Sequence, residues 1–316
     1  MSAFRKLAIG SLGATFLLVG IGGLVRATKS GLGCGDDWPD CNGRLAPALE
    51  TRAEIIEFSH RAVAGIIVIL LGLLMVTAIR KHRSERYLLW PSIGAFLLVI
   101  GQALLGAMVV WLNLKAETVI VHLGTALILL AVLIYLVRVS GEREGPSKEP
   151  FRDRSYMRQA AGAAGVVFLL MLLGSYVSGK EAGLVFPDWP LMDGRLIPDL
   201  GNELQGLHFF HRALAGIVGA IVLVTGLRLA RLKDRAPLAA RMAHIAMGLY
   251  AVEVLIGALN VWTELNSAVV TAHLANGALI WGSLVTAAVS LHPALDTLGE
   301  RIRTDRTNAP VLEGGR

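Results

Sequence analysis

Charge is scarce in this chain. Only 17% of its 316 residues are Asp, Glu, Lys or Arg, while 54% are hydrophobic and the mean hydropathy is +0.59. That balance excludes a soluble globular domain of this size and implies an integral membrane protein. No small-residue cleavage site follows the first apolar stretch, Leu7–Val25; Arg26 and Lys29 come next. The stretch is therefore read as a retained helix and not as a secretory leader. Basic residues exceed acidic ones, 30 to 24, but they lie in short connectors and are not gathered on one face, which argues against nucleic-acid binding. Cysteine is limited to Cys34 and Cys41, enough for one pair.

Eight apolar stretches are long enough to cross about 30 Å of hydrocarbon: Leu7–Val25, Ala62–Ile79, Tyr87–Leu114, Thr118–Val137, Gln159–Gly179, Ala213–Leu227, Met242–Thr263 and Leu265–Leu295. They predict an all-α integral membrane fold of eight transmembrane helices. The N-terminal tail, the connectors 80–86, 138–158 and 228–241, and the tail after 292 hold 21 of the 30 Lys and Arg. By the positive-inside bias both termini are expected in the cytoplasm.

Shifting the sequence by 151 residues aligns its halves without a gap from Asp37 to Leu123. Asp37-Trp38-Pro39 matches Asp188-Trp189-Pro190, and Gly43-Arg44-Leu45 matches Gly194-Arg195-Leu196. Phe58, His60, Arg61, Ala62, Ala64 and Gly65 match Phe209, His211, Arg212, Ala213, Ala215 and Gly216; Gly106, Trp111, His122 and Leu123 match Gly257, Trp262, His273 and Leu274. With four helices per unit, the copies share one orientation about an axis along the membrane normal. The expected organisation is two tandem homologous four-helix bundles, 1–140 and 159–295, joined by a charged cytoplasmic linker at 141–158 containing Pro146 and Pro150, with a polar cytoplasmic tail at 296–316.

His60 and His122 are 62 residues apart, and so are His211 and His273. In each half the two histidines fall near the same ends of parallel helices, so both imidazoles sit at similar depth, expected just below the outer surface. A lone intramembrane histidine usually makes a helix-to-helix hydrogen bond. Four in register point instead to haem iron held from both sides between helices. Zinc is disfavoured because no third or fourth ligand repeats with them. Arg61 and Arg212, next to the first histidine of each pair, can bind a haem propionate or reach lipid headgroups. Asp37-Trp38-Pro39 and its copy are turn formers with an interfacial tryptophan, expected to fold each loop over its site as a lid.

Other residues do not repeat. Glu57, three positions before His60 on the same helix face, aligns with His208. A carboxyl withdrawn into an apolar bundle can transfer protons or stabilise a cationic intermediate; in water it would be an ordinary helix-end charge like Glu54. Glu253 aligns with Gln102 and suits an interhelical hydrogen bond or proton movement. Cys34 and Cys41 face Val185 and Met192. On an oxidising side of the membrane they can form a structural clip or a redox-active dithiol, or remain free.

Glu57-x-x-His60-Arg61 with His122, His208-x-x-His211-Arg212 with His273, and the Cys34/Cys41 pair in the first loop resemble haem A synthase, in its bacterial branch with cysteines in that loop. The resemblance covers nearly the whole chain. It implies oxidation of a ring methyl of haem O to a formyl group through a hydroxymethyl intermediate, for use in terminal oxidases. It also implies that His211 and His273 ligate a resident haem b that transfers electrons. His60 and His122 would then hold the substrate haem, with Glu57 beside it as a catalytic residue. A haem O synthase is the expected supplier, the electron acceptor is open, a homo-oligomer is possible, and the location is the bacterial cell membrane. A dihaem electron-transfer cytochrome uses the same four histidines but has no need of Glu57 and cysteines in one half. A transporter predicts broken helices and polar residues at the midplane.

Overall fold

The structure, a computed structural model, describes residues 1–45, 47–142 and 153–292. The expected tail at 296–316 and most of the expected linker lie outside them. The described residues form eight α-helices: α1 (Ala3–Ala27), α2 (Arg52–Lys81), α3 (Arg86–Trp111), α4 (Ala116–Glu142), α5 (Arg154–Gly179), α6 (Glu203–Ala230), α7 (Pro237–Trp262) and α8 (Ser267–Ser290). Each contains a stretch long and apolar enough to cross a membrane, so the chain is a multi-pass membrane protein.

Helices α2 and α6 begin well before the apolar stretches at Ala62 and Ala213. Thr51 accepts from the Glu54 amide at 3.2 Å while Glu54 accepts from the Thr51 amide at 2.8 Å. Asn202 caps Gln205 at 3.0 Å. These first turns are polar, so hydropathy misses them, whereas capping chemistry sets their start. His60 and His211 consequently lie about two turns inside ordered helix instead of at its tip. Helix α8 is shorter than its apolar stretch, opening at Ser267 behind the Asn266 cap and ending at Ser290.

Within each half the helices form a ring: α1 packs on α2 and α4 with α3 closing between them, and α5 packs on α6 and α8 with α7 closing. The halves join through α1 on α8, α4 on α5, and α4 on α8. Thus α1, α4, α5 and α8 are central, and the two four-helix bundles share one interior. The apolar core is displaced along the bundle. In the first half Phe4, Leu71, Leu74, Leu88, Leu133 and Leu136 are buried together; in the second, Ala160, Leu229, Ala239, Ala243 and Ala287 are. All lie away from the end carrying the loops 28–51 and 180–202, hereafter the loop end. Between the halves Leu127, Leu130, Ile134, Val218, Val222, Trp281 and Leu284 pack. Ile66, Ile69, Leu97, Leu223 and Leu255 face outward and are exposed, as expected where lipid and not water is the neighbour. Since lipid is as apolar as these side chains, close packing holds the helices together.

Candidate functional site

The histidines occupy the loop end, and the loops there are built twice in the same way. Cys41 and Arg44 exchange backbone hydrogen bonds of 2.9 and 3.1 Å around Asn42 and Gly43, both at positive φ; Met192 and Arg195 exchange bonds of 2.8 and 3.2 Å around Asp193 and Gly194. Glycine suits the second turn position because the chain there is left-handed, φ 71° and 72°. Trp38 meets Trp111 edge to face with centroids 6.3 Å apart, and Trp189 meets Trp262 at 5.7 Å. Each Asp-Trp-Pro segment is thereby pinned to the end of the third helix of its bundle. In the second loop the Asp188 carboxylate also accepts the Asp193 and Gly194 amides, both at 2.8 Å. The Gly194 amide first, with that of Asp193 and the Arg212 charge, holds it below the usual carboxylate range against an opposing desolvation.

Arginine fastens each loop to the helix bearing the first histidine. Arg61 Nη1 donates to the carbonyls of Asp37, at 2.7 Å, and Asp40. Arg212 Nη1 donates to the equivalent carbonyls of Asp188, at 2.9 Å, and Leu191, at 3.1 Å, and its Nη2 reaches Phe186 O at 3.2 Å. A planar fork serving several carbonyls fits arginine and not lysine.

His60 on α2 and His122 on α4 are close enough to interact electrostatically, as are His211 on α6 and His273 on α8. Each ring has its Nδ1 buried and without a hydrogen-bond partner. Every ring also packs its Cε1 edge on a glycine of an adjacent helix. A Cβ would come within 3.3 Å of His60 at Gly22, 3.4 Å of His122 at Gly106, 3.0 Å of His211 at Gly174 and 3.6 Å of His273 at Gly257. Gly106 and Gly257 were visible as a matched pair in sequence, without a stated role. Gly22 and Gly174 were missed because they match only when the offset becomes 152 residues, ahead of the ungapped region.

Helix α1 lies between the two sites. Gly22 faces His60, while a Cβ on Gly23 would sit 3.0 Å from Leu274, the residue after His273. The same short stretch of backbone therefore flanks both ligand pairs. Between α3 and α4 an open, mostly apolar groove of about 210 Å³ is lined by Leu105, Met108, Glu117, Thr118 and Val121, the last next to His122 in sequence.

The non-repeating residues engage the loops, the two arginines and the histidines of α4 and α8. Glu57 is 4% exposed; its Oε1 accepts from Arg61 Nη2 at 2.6 Å and its Oε2 from the Cys34 amide at 2.8 Å. Cys34 and Cys41 form a disulfide, and both are buried. Glu57 thus ties the disulfide loop to Arg61. In the second half His208 takes its place: Nε2 accepts from Arg212 Nε at 2.9 Å, and the ring lies against Phe186 with centroids 5.7 Å apart. His208, for which sequence supplied no role, is the neutral acceptor that keeps Arg212 in place where Glu57 keeps Arg61. Gln102 donates to His122 O at 2.7 Å and accepts from Thr125 at 2.5 Å. Its counterpart Glu253 accepts from Asn276 at 2.7 Å and brings Oε1 within 3.2 Å of His273 Nδ1, at an angle outside that of a hydrogen bond.

Two imidazoles per half, close enough to interact and each with its ring edge against a bare glycine, fit a flat metal macrocycle coordinated from both faces. Residues 5–285 match the family described as cytochrome oxidase assembly protein. The heme A synthase of Shouchella clausii is 32% identical over 220 residues, 68% of this chain and 72% of that protein. The heme A synthase of Symbiobacterium thermophilum is 32% identical over 266 residues, 82% and 86% of the two chains. That of Lysinibacillus sphaericus is 30% identical over 282 residues, 87% and 90%.

Proposed function

Because this chain belongs to the cytochrome oxidase assembly protein family and is similar to haem A synthases along most of its length, we propose that it is an oxidoreductase converting haem O to haem A. The ring methyl of haem O is oxidised to a formyl group through a hydroxymethyl intermediate. The observation that carries the division of labour is the asymmetry around two ligand pairs of one design: a buried carboxylate and a disulfide beside His60 and His122, a neutral histidine beside His211 and His273.

In this reading His60 and His122 bind the substrate, and the isoprenoid tail of haem O enters the groove of Leu105, Met108 and Val121 from the bilayer. Glu57 retains lone pairs beyond its two hydrogen bonds and takes up a proton or balances positive charge as the methyl group is oxidised. Arg61 and Arg212, held by loop carbonyls, keep a positive charge where the propionate edge of each macrocycle would lie. His211 and His273 hold haem b, which when bound supplies one-electron transfer. The Gly22–Gly23 stretch keeps the two sites near each other. The loop end faces away from the cytoplasm, the termini lie inside, and a haem O synthase delivers the substrate for terminal-oxidase assembly, in a membrane where copies of the chain can associate.

A dihaem electron carrier explains the histidines but leaves Glu57 and the disulfide without a task. A transporter is disfavoured by eight helices that run unbroken. The test is coexpression with a haem O source, followed by chromatography and mass spectrometry of extracted pigments. Haem A or the hydroxylated intermediate should accumulate; a protein that binds haem b yet forms neither is not a synthase. His273→Ala should abolish the low-spin haem b spectrum and with it turnover, and an unchanged spectrum would place the cofactor elsewhere.

A further inference from the structure

The first histidine pair has its carboxylate on the loop side; the second has one on the helix side. Glu253 projects from α7 into the space behind His273, its side chain 16% exposed, with Oε1 3.2 Å from His273 Nδ1. Its other oxygen is fixed by Asn276 Nδ2 at 2.7 Å, and the same Nδ2 is fixed to Leu249 O at 3.0 Å. Gly277 leaves room for this approach, since a Cβ there would lie 3.2 Å from Glu253 Oε1. The first half carries Gln102, Thr125 and Ala126 at these three positions. There the amide turns to the His122 carbonyl and to Thr125, and His122 Nδ1 is buried without an acceptor.

We infer that Glu253 is a positioning residue for the second ligand pair: its carboxylate accepts the His273 Nδ1 proton, directs Nε2 to the haem iron and stabilises the oxidised cofactor, a setting the first pair lacks. The two atoms are already 3.2 Å apart and His273 Nδ1 has no other partner, so this carboxylate is the acceptor within its reach. A carboxylate is a stronger acceptor than an amide. Such an outer partner fixes the tautomer of a metal-bound histidine and raises its basicity, which favours the ferric state. The carboxylate belongs on the side that must cycle between oxidation states while remaining bound, whereas the substrate side must also release its occupant. The inference rests on haem b being held by His211 and His273.

The experiment is a potentiometric titration of haem b in the purified full-length protein. Glu253→Gln should keep the haem and raise its midpoint potential by an amount corresponding to a roughly tenfold loss in relative stabilisation of the ferric form, about 59 mV for one electron. The double variant E253Q/N276T, which installs the residues of the first half, should shift it at least as far. A potential and low-spin spectrum unchanged in both variants overturn the inference while leaving the haem b assignment standing. Retention of haem b by His273→Ala fails the assignment itself. If Glu253→Gln loses its haem, Glu253→Asp decides: haem restored at a near-native potential supports the role, and no restoration overturns it.

Discussion

The two halves hold their histidines by the same means and surround them with different chemistry. Arg61 and Arg212 grip equivalent loop carbonyls, Trp38 and Trp189 rest on equivalent tryptophans, and all four histidines lie edge-on to glycine. Among the differences are residues that touch this frame: Glu57 against His208, Gln102 against Glu253, and a disulfide against Val185 and Met192. A duplicated frame can remain constant because its contacts are geometric. The groups that set proton and electron behaviour diverge around it because each acts on only one pair.

The comparison breaks most sharply at Glu57. Glu57→Gln removes the charge but keeps the shape, and turnover should fall about 10²-fold or more, the usual range for a proton-transferring group, with the haem b spectrum intact. Full activity would remove Glu57 from the mechanism, and loss of haem b would show that the halves are not separable.

The glycine contacts give a smaller, graded effect. A Cβ at Gly174 comes to 3.0 Å from His211 and one at Gly22 to 3.3 Å from His60, and crowding of this kind costs about 1–3 kcal/mol. Gly174→Ala should weaken haem b retention on dilution in detergent, while Gly22→Ala should raise KM for haem O and leave haem b bound. The reverse pattern would exchange the roles assigned to the halves.

The smallest effect concerns the second loop. The folded state holds the Asp188 carboxyl below its usual range, chiefly through the Gly194 amide. Its contribution is therefore present above the pKa of the unfolded chain and is lost as pH falls through the lower folded value. Asp188→Asn should flatten the acid limb of thermal stability against pH. An acid limb identical to that of the unmodified protein would show that this exposed carboxylate adds nothing measurable.

The helix count, the tandem register and the two histidine pairs were legible in sequence because each rests on periodic or repeated residue types. The starts of α2 and α6 were not, since Thr51 with Glu54 and Asn202 with Gln205 cap polar turns that hydropathy passes over. Sequence offers Arg61 and Arg212 to a propionate or to headgroups; in the structure they donate to loop carbonyls and to Glu57 and His208 respectively. Gly22 and Gly174 were hidden by a one-residue change of offset.

By itself the sequence determined that the chain crosses a membrane eight times, that it carries one four-helix unit twice, and that the copies differ beside their histidines. Composition and residue identity suffice for these, because hydrocarbon admits only backbones that satisfy their own hydrogen bonds. Tertiary structure alone decided which partners the differing residues have: Glu57 with Arg61 and the Cys34 amide, His208 with Arg212, Glu253 with Asn276 and close to His273. Those pairings depend on ångström-scale placement of side chains across separate helices and loops, which alignment of one half on the other does not encode.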